Sequence, residues 1–141
     1  MALMLLPSQP ASADGIIFVV NSTGNATDIT IGDGICSTGA SINVGGSMVP
    51  ECTFRAAVAE ANFTAAVDTI NFNIVSTSGG TLGQCTPTIT RTITLPNTTT
   101  DVSYFNAFIY QGTQYRAAYI VTKPIIIDGY TQCRASPIHK L

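Results

Sequence analysis

The sequence predicts a mainly β protein with one α-helix, and three observations carry that prediction. Ile and Val together number 25 against 6 Leu, and β-branched side chains favour pleated, half-buried strands over helices. The polar half of the 141-residue chain is dominated by 20 Thr, 10 Ser and 8 Asn, a composition that suits strand faces and turns. The apolar runs are short and separated by turn signals at irregular intervals. A sandwich needs more regularly spaced hairpins, whereas a solenoid of stacked strands tolerates irregular loops.

Taken in order, Ile16-Ile17-Phe18-Val19-Val20 is a β-branched run bounded by Gly15 and Asn21, and reads as the first strand. Residues 21–50 are rich in Gly, Asn, Ser, Thr and Asp, with turn signals at Gly32-Asp33-Gly34 and Gly45-Gly46. The expectation there is a loop without a long regular element. From Cys52 to Asn62 the period changes: Phe54, Ala57, Val58 and Ala61 recur at i, i+3, i+4 and i+7, one face of a helix. Thr53 is its expected N-cap, with Glu51 just outside the positive helix end. Glu51 also stands four residues before Arg55, a pair that adds tenths of a kcal/mol at most.

Beyond the helix, Asp68 to Ile74 alternates apolar and polar residues, with Ile70, Phe72 and Ile74 on one side, which predicts a strand with one buried face. Thr88 to Leu95 repeats the signal, and Ala118 to Asp128 gives two more short apolar runs, Tyr119-Ile120-Val121 and Ile125-Ile126-Ile127. Asp128-Gly129, following the Ile125-Ile126-Ile127 run, reads as a tight Asp-Gly hairpin signal.

The charge pattern excludes several classes. Six basic and eight acidic residues give a formal charge of −2, and the scattered basic residues form no patch for nucleic acid or anionic lipid. No stretch approaches the ~20 apolar residues of a membrane span. Ala2-Leu3-Met4-Leu5-Leu6 followed by Pro7 to Ala13 reads as the end of a secretory signal, so residues 1–13 are expected to be removed and the exported chain to begin near Asp14. Four cysteines, Cys36, Cys52, Cys85 and Cys133, lack the close pairs of a zinc site. In an exported chain disulfides are expected. A Cys36–Cys52 bridge would close a short loop and stabilise by about 3 kcal/mol; Cys85 and Cys133 are the remaining candidates, and buried thiols are the alternative.

Catalytic chemistry has thin support. Six Asp, two Glu and one His are spread along the chain, and paired acid–base groups are not apparent. His139 lies near the C-terminal end, where a side chain is more often inert than catalytic. No catalytic residue and no cofactor is expected. Asp28 and Asp33, around a turn-rich loop, are the candidate calcium ligands, although the spacing lacks the regular acidic positions of an EF-hand. Asn21, Asn25, Asn62 and Asn97 each begin a glycosylation acceptor pattern.

Three segments, Phe18-Val19-Val20-Asn21-Ser22-Thr23, Gly32-Asp33-Gly34-Ile35-Cys36 and Cys52 to Asn62, resemble in order and spacing the CSLREA-type N-terminal domain of exported bacterial proteins. Two later segments, Asp68 to Ile74 and Pro124 to Gln132, look like the first solenoid strands after that family's helix. The resemblance spans residues 16–132 with gaps. It implies the first rungs of a right-handed parallel β-helix of the pectin-lyase-like type, with one N-terminal capping α-helix. Residues 14–132 would form cap and rungs, and 133–141 a divergent tail without repeat character. Phe54, Arg55, Ala57, Val58 and Ala61 then belong to the cap: Phe54 and Val58 plug the column of the first rung, and small Ala57 and Ala61 allow close approach. Arg55 and Glu60 are expected on a solvated face or in a local salt bridge.

The function implied is a non-catalytic capping and folding module of a secreted or cell-surface protein, serving adhesion or carbohydrate contact. Its partners would be its own further rungs and cell-surface glycans. The alternative is the N-terminal part of a polysaccharide lyase or glycoside hydrolase. A departure from the family is the stretch Pro96 to Tyr119, carrying Tyr104, Phe105, Phe108, Tyr110, Tyr115 and Tyr119. It is expected as a loop or extra hairpin packed on the helix or first rungs, with an aromatic binding surface as the other reading.

Overall fold

A computed structural model describes residues 14–74, 92–93, 106–111, 113–117 and 119–132. Its strands are β1 (Ile17–Val20), β2 (Ser41–Val44), β3 (Ser47–Pro50), β4 (Asp68–Phe72), β5 (Asn106–Tyr110), β6 (Thr113–Ala117) and β7 (Ile125–Asp128), with one helix, α1 (Phe54–Ala61), between β3 and β4. The expected strand at Thr88 to Leu95, the cysteines Cys85 and Cys133, His139, Asn97, residues 1–13 and the tail 133–141 lie wholly or largely outside the described residues.

The central element is a three-stranded sheet in the order β1-β4-β7, parallel at both junctions. Its register stacks Phe18 on Ile70 on Ile127, and Ile17 on Thr69 on Ile126. Side chains alternate between the two faces of a strand, so Phe18, Val20, Ile70, Phe72, Ile125 and Ile127 share one face. That face is the covered one: Phe18, Val20, Ile70 and Ile74 form one core cluster with Cys52, Ala57, Val58 and Ala61. The helix therefore lies across the inner face of β1 and β4, with Ala56, Ala57, Val58 and Ala61 buried.

Among the described residues the mainly-β expectation, one α-helix and the parallel sheet are thus present, while three local readings are corrected. Residues 41–50 form an antiparallel hairpin around Gly45-Gly46. Both glycines have positive φ, 58° and 89°, as a two-residue hairpin turn with the right twist requires. Asp128-Gly129 makes no hairpin: the Asp128 carboxylate accepts the Tyr130 N–H at 2.9 Å and starts a single 3-10 turn over Gly129–Thr131. Tyr119-Ile120-Val121 is not a strand. The Asn62 side chain grips it, donating to the Ile120 carbonyl at 2.7 Å and accepting the Thr122 N–H at 2.8 Å. These bonds satisfy a backbone that has no ladder partner. The stretch Pro96 to Tyr119 does contain an extra hairpin, β5 with β6.

Candidate functional site

The N-terminal end of α1 is where the sequence-predicted residues converge. Thr53 is extended and its hydroxyl accepts the Ala56 N–H at 3.1 Å, the expected N-cap. The same hydroxyl donates to the Ala26 carbonyl at 2.6 Å, tying the cap to the preceding loop. Cys36 and Cys52 are joined by a disulfide across a Cα separation of 5.2 Å, within the normal span for such a bond. The Glu51 carboxylate accepts the Ser22 and Thr38 hydroxyls at 2.6 and 2.7 Å.

Arg55 leaves the helix toward an aromatic cluster. Its Nε donates to the backbone and side-chain oxygens of Asn25, both at 3.1 Å, and its guanidinium carbon lies 5.1 Å from the Tyr119 ring centroid. The Tyr119 hydroxyl donates to the same Asn25 oxygen at 3.1 Å. Phe54 packs edge-on against Tyr119 at 4.9 Å and tilted against Phe72 at 5.8 Å. Burial pushes the Tyr119 phenol above its usual value of 10.0, and the Arg55 charge partly offsets this. Arg55 is therefore not merely on a solvated face: it clamps Asn25 and Tyr119 to the helix.

Glu60 corrects the sequence reading outright. It is 0 % exposed, and its two carboxylate oxygens accept the backbone N–H groups of Gly32 at 2.7 Å and Gly34 at 2.9 Å. A burial of that kind requires full hydrogen bonding of the carboxylate. The signal was present as Gly32-Asp33-Gly34, whose glycines hold φ of 96° and 79° and turn two alternate N–H groups toward the same carboxylate, one to each oxygen.

Asp28 and Asp33, the candidate calcium ligands, are both engaged with backbone amides. Asp28 is buried, and its oxygens accept the N–H groups of Thr30 and Ser37, each at 2.7 Å. Asp33 accepts the Ile35 N–H at 2.8 Å. The Thr30 and Ile35 contacts close local turns, the Ser37 contact ties together loop residues nine positions apart, and no cluster of three acidic, His or Cys groups able to hold a metal occurs among the described residues. Asp68 is likewise buried, accepting the Ile16 N–H at 2.7 Å and the Thr64 hydroxyl.

Three acceptor-pattern asparagines are engaged inside the chain. Asn21 donates to the Pro50 carbonyl at 2.9 Å and accepts the Cys52 N–H at 2.8 Å; Asn25 holds Arg55 and Tyr119; Asn62 holds Ile120 and Thr122. Together these contacts bind the irregular loop, the helix and the sheet into one scaffold, with acidic groups fixing backbone amides. No helix among the described residues is long and apolar enough to cross a membrane. The chain matches no family model, no curated protein and no solved structure.

Proposed function

We propose that the chain is a non-catalytic capping and folding module of a secreted or cell-surface protein built as a right-handed parallel β-helix, with adhesion or carbohydrate contact made on rungs stacked beyond β7. One observation carries this reading. Along the inner-face column, Phe18 is 3 % exposed and Ile70 0 %, whereas Ile127 is 51 % exposed. The helix covers the column over β1 and β4, and on β7 the same apolar ladder is left half open. A further strand adding in parallel to the free edge of β7 would cover it, and an uncovered apolar edge is an association hazard. The carboxylates of Asp28, Asp33, Glu51, Glu60, Asp68 and Asp128, bound to amides or hydroxyls of their own chain, favour a scaffold over the lyase or hydrolase alternative.

The test is the behaviour of the 141-residue chain and of Ile127→Lys in size-exclusion chromatography with a hydrophobic dye. The reading expects concentration-dependent association and dye binding, both reduced by Ile127→Lys without loss of β-type circular dichroism. A monodisperse monomer that binds no dye, unchanged by the substitution, would mean a free-standing domain and end the reading.

A further inference from the structure

Among the described residues the sheet has a second edge without a paired strand, at β1, and it differs in character from that of β7. A shallow groove of about 360 Å³ runs along it, lined on one side by the four consecutive residues Ile16 to Val19. Alternate side chains of a strand point to opposite faces, so four consecutive lining residues mean that the backbone itself faces the groove. The Phe18 side chain, 3 % exposed, is turned into the core.

The hydrogen bonds to β4 fix which groups are free. The Ile16 carbonyl accepts the Thr69 N–H at 2.9 Å and the Val20 carbonyl accepts the Asn73 N–H at 2.8 Å. Even-numbered residues of β1 thus address β4, and by alternation Ile17 and Val19 turn their N–H and C=O outward, without a partner among the described residues. Their side chains, 62 % and 41 % exposed, stand beside that edge.

Opposite the edge is a wall formed by Ile35, Val49, Pro50 and the Cys36–Cys52 disulfide. At the C-terminal end of β1 the wall closes on the strand, where Asn21 donates its backbone N–H to the Cys52 carbonyl at 3.0 Å. Near Ile16 the wall also comes close: a Cβ on Gly34 would lie 3.4 Å from the Ile16 Cδ1.

We propose that this groove is a docking site for an extended, uncharged polypeptide segment of another protein, which adds to β1 as a further strand. The free backbone groups recur at every second residue, a spacing that a strand satisfies and a helix does not. No charged side chain lines the groove, so the electrostatic match is a segment without charge, carrying β-branched or small apolar side chains at alternate positions. The site does not involve the β7 edge.

The experiment titrates the full chain into a fluorescein-labelled peptide, acetyl-Thr-Val-Thr-Ile-Thr-amide, followed by polarisation, and measures amide exchange of the protein by NMR. Saturable binding is expected below about 1 mM, weakened about tenfold or more when the peptide is N-methylated at alternate backbone nitrogens. Amide exchange at Ile17 and Val19 should slow about tenfold, while Phe18, already bonded to β4, is unchanged. Ile17→Glu, at an exposed position, should abolish binding and keep the circular dichroism; if that variant does not fold, the peptide pair decides alone. Absence of saturation, equal binding of the N-methylated peptide, or protection of Ile17 and Val19 by protein concentration alone, the mark of a second copy, would each overturn the proposal.

Discussion

The buried carboxylate of Glu60 on α1 accepts the backbone N–H of Gly32 at 2.7 Å, across 28 positions of sequence, and so fixes the irregular loop to the helix. With Gly34 on the second oxygen, one side chain satisfies two amides that no strand pairs. Glu60→Ala would orphan both, and a cost of about 2–4 kcal/mol is expected in urea unfolding. Glu60→Gln should cost less, because one amide oxygen still accepts. Equal stability of the alanine variant would contradict the role given to Glu60.

Gly32 is the other half of that contact. Its φ of 96° is strained for any L side chain, and a Cβ there would meet the Phe63 ring at 2.6 Å. Gly32→Ala is therefore expected to destabilise by about 1–3 kcal/mol, read as a lower unfolding midpoint.

The Cys36–Cys52 bridge joins the same loop to the helix entry across 16 residues. Cys36→Ser should lower stability by about 3 kcal/mol in oxidising buffer, and the difference from the parent chain should vanish in reductant. An unchanged melting temperature in both buffers would mean that the loop needs no covalent tie.

Val58, 3 % exposed in the core cluster, gives a sharper result. Val58→Asp buries an unpaired charge, and loss of β-type circular dichroism or of solubility is expected. Retention of both would place the helix away from the sheet.

Tyr119 supplies the alkaline dependence. Its phenol is shifted upward, first by burial, so the folded state holds the proton more tightly than the unfolded chain. The stability it contributes is complete below pH 10.0, the ordinary tyrosine value, and is lost as pH rises from there through the folded value. Tyr119→Phe should flatten this alkaline decline, at the cost of the bond to Asn25. An identical decline in the variant would show that Tyr119 does not cause it.

Legibility followed the range of the physics. The helix and its Thr53 cap, and the strands β1, β4 and β7, were readable because periodicity and capping are local. The hairpin around Gly45-Gly46 was hidden by its Ser, Gly and Asn content, although Ser41-Ile42-Asn43-Val44 alternates and a Gly-Gly turn suits such a hairpin. Glu60 was misread because burial of its carboxylate depends on amides brought in from distant loop residues. The gripping of 119–122 by Asn62 is of the same kind, a side chain near the helix end replacing a strand partner 60 residues away.

The account rests on a helix lying over a stack of parallel strands, and nuclear Overhauser contacts in solution test it most directly. Contacts from the Val58 methyls to Phe18 and Ile70, with parallel cross-strand contacts joining Phe18, Ile70 and Ile127, are expected. Val58 methyls that reach neither residue, or antiparallel contacts between β1 and β4, would contradict it.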